Sequence, residues 1–226
     1  MTAQVHQLIL PRRANEALDA PLTEAAEIAM IAAASHKISE LLEILQIDHL
    51  NDHNTRDTPD RVARMFVQEL LRGRFAPPPK ITEFDNVERC EQLIVTGPLA
   101  VRSLCAHHLM PIVGEAYIGI QPSAAGKIIG LSKYDRIVEH FSARFQIQEE
   151  LVSQIASFIM EHTRPLGVAV RMSATHMCKT HRGVKASGAS RMINTVWLGS
   201  LDADPLLRQE FLQECQSMER GVRGGF

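Results

Sequence analysis

The run APPPKI at residues 76–81 separates two kinds of sequence. Proline fixes φ, lacks an amide hydrogen and breaks a helix interior, so three in a row make a stiff non-helical link. Upstream, EAAEIAMIAAASHKISELLEILQI begins at Glu24 and consists largely of helix formers. Its Ile38, Leu41, Leu42 and Leu45 recur at three- and four-residue steps, which predicts a helix over 24–45 with one apolar stripe. NDHNTRDTPDRVARMFVQELLRG predicts a second helix, capped by Thr58, with Pro59 in its first turn and Gly73 at its end. Downstream of the prolines the apolar period falls toward two. QLIVTGPLAVRSLC and IVGEAYIGIQP are short β-branched runs that read as antiparallel strands around a Cys-His-His turn. GKIIG follows as a strand and turn, with Ser132 capping the next helix. QIQEELVSQIASFIMEHTRPLG gives an amphipathic helix stopped by Pro165 and Gly167. GVAVRMSATHMC and RMINTVWLGSL add two strands, and a last helix is expected from Asp204 to Arg220.

Strand pairs with helices on one side define an α+β fold. The organisation expected is an extended or mobile arm at 1–24, a helical region at 25–75, a catalytic core at 76–203 and a C-terminal helix and tail at 204–226. The composition suits such a globular chain: of 226 residues, 45% are hydrophobic and 22% charged. A net charge of −2 supplies no field drawing the chain to nucleic acid or to a membrane surface, so an anionic ligand needs a local basic cluster. No apolar run approaches the roughly 20 residues that span a bilayer. The opening MTAQVHQLILPRR lacks the pattern of a secretory signal, and the chain reads as cytoplasmic. In that setting the four cysteines, Cys90, Cys105, Cys178 and Cys215, are better read as thiols than as two disulfides.

Two of those thiols stand beside histidines, in CAHHLMP (105–111) and HMCKTHRGV (176–184). Cys105 and His108 are three residues apart, so one turn brings both to one side, and Cys178 can join them from a distant strand end. Two sulfurs and a nitrogen suit Zn²⁺ and leave a fourth position for water. His107 and His176 are either a fourth ligand or proton carriers beside the metal. The plainer alternative is a pair of buried core thiols with structural histidines. In GLSKYDR, Ser132, Lys133 and Arg136 stand at a helix start, where free N–H groups and two cations favour an anion. Arg182 and Lys185 add positive charge close behind Cys178. A solvated basic face is the competing reading. Activated water beside a phosphate cradle points to a hydrolase of a phosphorylated small molecule. In QIQEEL, Gln148, Glu149 and Glu150 offer a carboxylate able to accept both the N1–H and the 2-amino group of guanine, or simply a helix-start pair favoured by the dipole.

SLCAHHLMPIVGEAYIGIQP, GLSKYDRIV, QIQEEL and ATHMCKTHRGV, with DTPDRVARMF upstream, occur in an order and spacing that resemble the GTP cyclohydrolase I family. The resemblance covers about residues 25–200. It implies the T-fold (tunnelling fold), an antiparallel sheet backed by helices, and a decamer of two pentameric rings with active sites at subunit boundaries. It implies GTP as substrate and one Zn²⁺ per subunit, with Cys105, His108 and Cys178 as ligands. His107 and His176 match the catalytic histidines. Ser132, Lys133, Arg136 and Arg182 match the triphosphate and ribose side, and Gln148 and Glu149 the segment that anchors guanine. Arg64 stands where many members carry a phosphate-reaching Lys. Two departures are visible: Ala106 replaces the usual acidic residue of the Cys-Glu-His-His motif, and Met192 and Asn194 stand where a Thr-rich strand is common. The resemblance leaves open a relative acting on another purine, one that stops at the ring-opened formamide, or a non-catalytic zinc-stabilised ring.

Overall fold

A computed structural model describes residues 12–223, and side chains for 12–220. The chain divides after Pro77 into two compact units. Residues 1–11 of the expected arm lie outside the described residues.

The first unit holds helix α1 (Glu24–Ile44), helix α2 (Thr58–Arg64), a π-helical turn over Met65–Leu70, and the short helix α3 (Arg72–Phe75). Thr23 caps α1, its side-chain oxygen accepting from the amide of Ala26 at 3.2 Å. The buried stripe of α1 falls earlier than the sequence suggests. Met30, Ile31, Ala34 and Ile38 pack around Ala63 and Val67, whereas Leu41 and Leu45 are 52% and 60% exposed. The helices that α1 packs against are short, and among the described residues they do not reach Leu41 and Leu45. Asp57, not Thr58, occupies the cap position of α2, and Gly73 lies inside α3 rather than ending a long helix. The described part of the arm is held in place. Leu18 and Leu22 donate their amides to the carbonyls of Arg74 and Phe75, and the Arg74 guanidinium donates to the carbonyls of Arg13 and Glu16.

The second unit is built on a five-stranded sheet in the order β5-β2-β3-β6-β7. Its strands are β2 (Ile94–Cys105), β3 (Pro111–Gln121), β5 (Phe145–Gln146), β6 (Gly167–His176) and β7 (Met192–Gly199). The four long strands are antiparallel, and the two-residue β5 adds a parallel edge beside Leu104 and Cys105. A separate ribbon pairs β1 (Glu83–Asp85) with β4 (Lys127–Ile129). Strand residues alternate between faces. Ala116, Ile118 and Ile120 of β3 join Val168, Val170, Met172 and Ala174 of β6 on one face. Helices α4 (Ser132–Ser142) and α5 (Gln148–Thr163) cover that face. Leu151, Ile155 and Ile159 recur at four-residue spacing on α5 and are wholly buried, each burial being worth about 1.5–3 kcal/mol. Ser132 is the first residue of α4 and makes no side-chain cap; Leu131 holds the cap position. α5 ends at Arg164, which adopts φ 47 directly before Pro165, a position where the proline ring disfavours helical geometry.

The opposite face of the sheet carries a second layer. After the four-residue helices α6 (Met177–Thr180) and α7 (Ser200–Ala203), helix α8 (Pro205–Arg223) lays Phe211 and Cys215 against Tyr117 and Ala169. Phe211 meets Trp197 edge-on, with ring centroids 5.6 Å apart. Gly119 permits this approach, since a Cβ there would lie 2.5 Å from the Phe211 ring.

Candidate active site

One end of the sheet gathers the chemistry-bearing residues. β2 ends at Cys105, whose amide donates to Met110 O at 2.8 Å while its carbonyl accepts from Leu109 N at 2.8 Å. These two bonds close the turn AHHLM, with Leu109 in the left-handed region at φ 54. Ala106 N donates to Gln146 O, tying the turn to β5. β3 leaves the turn and pairs Ile112 with His176, the last residue of β6. Cys178 follows in α6, two residues beyond that pairing. Antiparallel register thus carries two distant motifs to one place.

There Cys178 packs against the cluster that contains Cys105, close enough for the one thiol to act on the other. Burial, and next the neighbouring Cys105, holds the Cys178 thiol above its ordinary range, while the Arg182 charge pulls it the other way. All four cysteines are free. Cys105 is buried, and His107 Nδ1 lies 3.6 Å from its sulfur. His107 and His108 are both exposed on the turn. Among the described residues no group of three His, Cys, Asp or Glu is gathered as a finished metal site. The donor set still fits a soft divalent cation: two thiols from separate elements are in contact, and two imidazoles stand on the adjoining turn.

His176 is half-buried, and its Nε2 lies 2.7 Å from Gln148 Oε1. Desolvation lowers its pKa, opposed by the Glu149 carboxylate and reinforced by Lys179. Gln148, expected to anchor guanine, is wholly buried at the start of α5 and turned toward His176. Glu149, the next residue, is exposed, and its charge is felt at His176.

The predicted phosphate residues divide into three groups. Arg182 is exposed and close enough to act on the Cys178 thiol. Ser132, Lys133 and Arg136 lie in the first turns of α4, whose last turn leads into β5 beside Cys105; the helix is about 15 Å long at 1.5 Å per residue. Lys133, Arg136 and Arg182 have no ion-pair partner among the described residues. Arg64 lies in α2 of the first unit, where its Nε donates to Asp60 at 2.7 Å. Asn194 is the site residue the sequence reading left without a role. It accepts from Gln148 at 2.8 Å, and only its unusual identity within the strand drew attention to it.

The sequence profile of GTP cyclohydrolase I matches residues 34–216, a span that contains every residue of this site. The chain belongs to the GTP cyclohydrolase I family. It is 38% identical over 156 residues to GTP cyclohydrolase 1 of Acetivibrio thermocellus, covering 69% of this chain and 82% of that protein. To GTP cyclohydrolase 1 of Carboxydothermus hydrogenoformans it is 43% identical over 141 residues, 62% of this chain and 72% of that protein. To GTP cyclohydrolase 1 of Nitrosospira multiformis it is 39% identical over 166 residues, 73% and 85% of the two chains. Among solved structures, an archaeosine synthase QueF-like in the apo form aligns at TM-score 0.37 and 14% identity, covering 48% of this chain and 93% of that one; nothing further rests on that likeness. Membership makes the chain an enzyme of the GTP cyclohydrolase I type, and its α+β architecture is the T-fold of that family. No helix among the described residues is long and apolar enough to cross a membrane.

Proposed function

We propose that this enzyme is zinc-dependent and converts GTP to 7,8-dihydroneopterin triphosphate, opening the guanine imidazole ring and releasing formate. The observation that carries the reading is the contact between Cys105 and Cys178 at the end of the sheet, with His107 and His176 beside them. Cys105, Cys178 and His108 hold the metal, the last supplied by the exposed turn. Bound there, zinc lowers the pKa of water so that hydroxide is available near neutral pH.

The protein groups do the rest. His107 and His176 carry protons: one delivers a proton to the ring nitrogen as water adds at C8, and both remain placed for hydrolysis of the ring-opened formamide. Glu149 accepts the N1–H and 2-amino hydrogens of guanine, a bidentate contact that selects this base. Gln148 stands behind it. Arg182, with Ser132, Lys133 and Arg136, takes the ribose and triphosphate. After formate leaves, the ribose opens, rearranges in Amadori fashion and closes on the freed amine.

The same reading includes a homo-oligomer, a decamer of two pentamers. Among the described residues β5 covers only the last residues of β2 and β7 has no outer neighbour, so both edges of the sheet can pair with other subunits. The first unit also leaves Ile28, Leu41, Ile44, Leu45 and Leu50 exposed, an apolar surface of the kind that association covers.

Ala106 favours one second reading. Where the family motif carries a carboxylate, this turn has a methyl group, which changes the charge beside the metal ligands. An enzyme that stops at the formamide is the form this would take. Zinc-loaded protein incubated with GTP separates the two. Formate and, after oxidation, fluorescent neopterin are expected together, and both are lost in Cys178→Ser. A ring-opened formamide without formate is the result of the second reading, formate without neopterin places the stop after formamide hydrolysis, and GTP left intact by zinc-loaded protein overturns the proposal.

A further inference from the structure

Gln148 has a side chain with one acceptor and two donors, and the surroundings of each atom are defined. Its Nε2 faces Met192 O at 3.1 Å, Met172 O at 3.4 Å and Asn194 Oδ1 at 2.8 Å. Backbone carbonyls only accept, so the atom facing them is the NH₂ group, and the orientation of the amide follows from the strands rather than from the site. The register explains the convergence: Met172 and Asn194 are direct partners across β6 and β7, and Met192 is two residues back along β7. With the NH₂ side committed to the strands, Oε1 points at His176 Nε2, 2.7 Å away. An amide oxygen cannot donate, so that ring nitrogen must carry the hydrogen.

We propose that Asn194 and Gln148 form a tether that fixes the ring orientation of His176, with Nε2 donating to Gln148 and Nδ1 left as the ring atom presented to the reaction. Gln148 and Asn194 are positioning residues, acting through His176 and not on the substrate. The inference rests on the cyclohydrolase reading for its functional weight. It also divides the labour of QIQEEL: Gln148 turns inward to the imidazole, and Glu149, exposed beside it, is the residue left for the base. Gln148 has no exposed surface with which to meet a ligand. Asn194 supplies an acceptor oxygen at a place that an apolar residue would leave empty. Without it, one Gln148 N–H loses its shortest partner; the two carbonyls keep the NH₂ group facing the strands, but the amide is held less tightly and its oxygen is no longer pinned against His176.

The test compares wild type, Asn194→Ala and Asn194→Asp, the last keeping an acceptor oxygen in the same place. In Asn194→Ala we expect kcat to fall about tenfold with KM within about twofold, since a misaligned catalytic group affects the reaction and not ground-state binding. Asn194→Asp is expected to recover most of that loss. Crystal structures of the zinc-loaded wild type and Asn194→Ala supply a readout independent of turnover. The Gln148–His176 contact should be short in the first and lengthened, with the ring rotated, in the second. A rise in KM at unchanged kcat would mean that Gln148 addresses guanine after all and would overturn the proposal. Equal loss in the Ala and Asp variants, tracking melting temperature, would reduce Asn194 to packing and overturn it too. So would an identical His176 ring in both crystals. If wild type itself fails to turn over GTP, the cyclohydrolase reading falls, while the two ring orientations still decide the tether.

Discussion

At the scale of single residues, the fold places titratable groups in surroundings that dictate their behaviour. His140 on α4 is largely buried against Arg144, whose NH2 group lies 2.8 Å from its Nε2. Burial, and then the Arg144 charge, holds its pKa down at about 4. The folded pKa is therefore below the unfolded value of about 6.5. The unfolded chain binds the extra proton, so stability is full above about pH 6.5 and is lost progressively as the pH falls toward 4. His140→Gln should flatten the pH dependence of the urea midpoint across that window, and an unchanged slope would show that His140 does not titrate this way. Residues at the site differ in how legible they were. Cys105 and Cys178 stood out because a thiol at short spacing from histidines is a ligand pattern, and that pattern is local in the sequence. The contact between Gln148 and His176 could not: the two are 28 residues apart, and which atom of each faces the other is set by the β6–β7 register and by carbonyls that carry no side-chain signature.

At the scale of elements, the strand and helix periods named nearly every segment, because alternation and 3.6-residue recurrence are local properties of the chain. Terminal residues were harder. Thr58 and Ser132 have the chemistry of caps, yet Asp57 and Leu131 hold those positions, since no side-chain oxygen there bonds to the first amides. The stripe on α1 was misplaced for a different reason. Leu41 and Leu45 fit the helical period, but burial also requires a partner, and the described residues of the unit supply an apolar one around Ile31 and Ile38. The second layer formed by α8 was unseen because a sheet face with Tyr117, Gly119 and Ala169 reads as weakly apolar. Gly119 is the sequence signal that could have revealed it. Gly119→Ala should push Phe211 off the sheet and cost about 1–3 kcal/mol, the range for overpacking a filled contact. Urea unfolding measures this, and a change within error would mean that α8 yields freely.

At the scale of the whole molecule, the described residues of a single chain present a sheet with open edges, an exposed apolar helix end, and cations on α4 and at Arg182 with no ion-pair partner among them. Each of these is left incomplete by one copy and is what an assembly would complete. Light scattering is expected to give a mass near ten times the 25.2 kDa chain, and a monomer at micromolar concentration would contradict the ring arrangement. The central claim is narrower than the assembly: the thiols brought together by the sheet register are metal ligands in a working hydrolase. X-ray absorption at the zinc edge of the loaded protein tests it most directly. Two sulfur neighbours at about 2.3 Å with nitrogen or oxygen at about 2.0–2.1 Å are predicted, reduced to one sulfur in Cys178→Ser. A shell of nitrogen and oxygen alone would contradict the account, because Cys105 and Cys178 would then be core thiols that happen to touch.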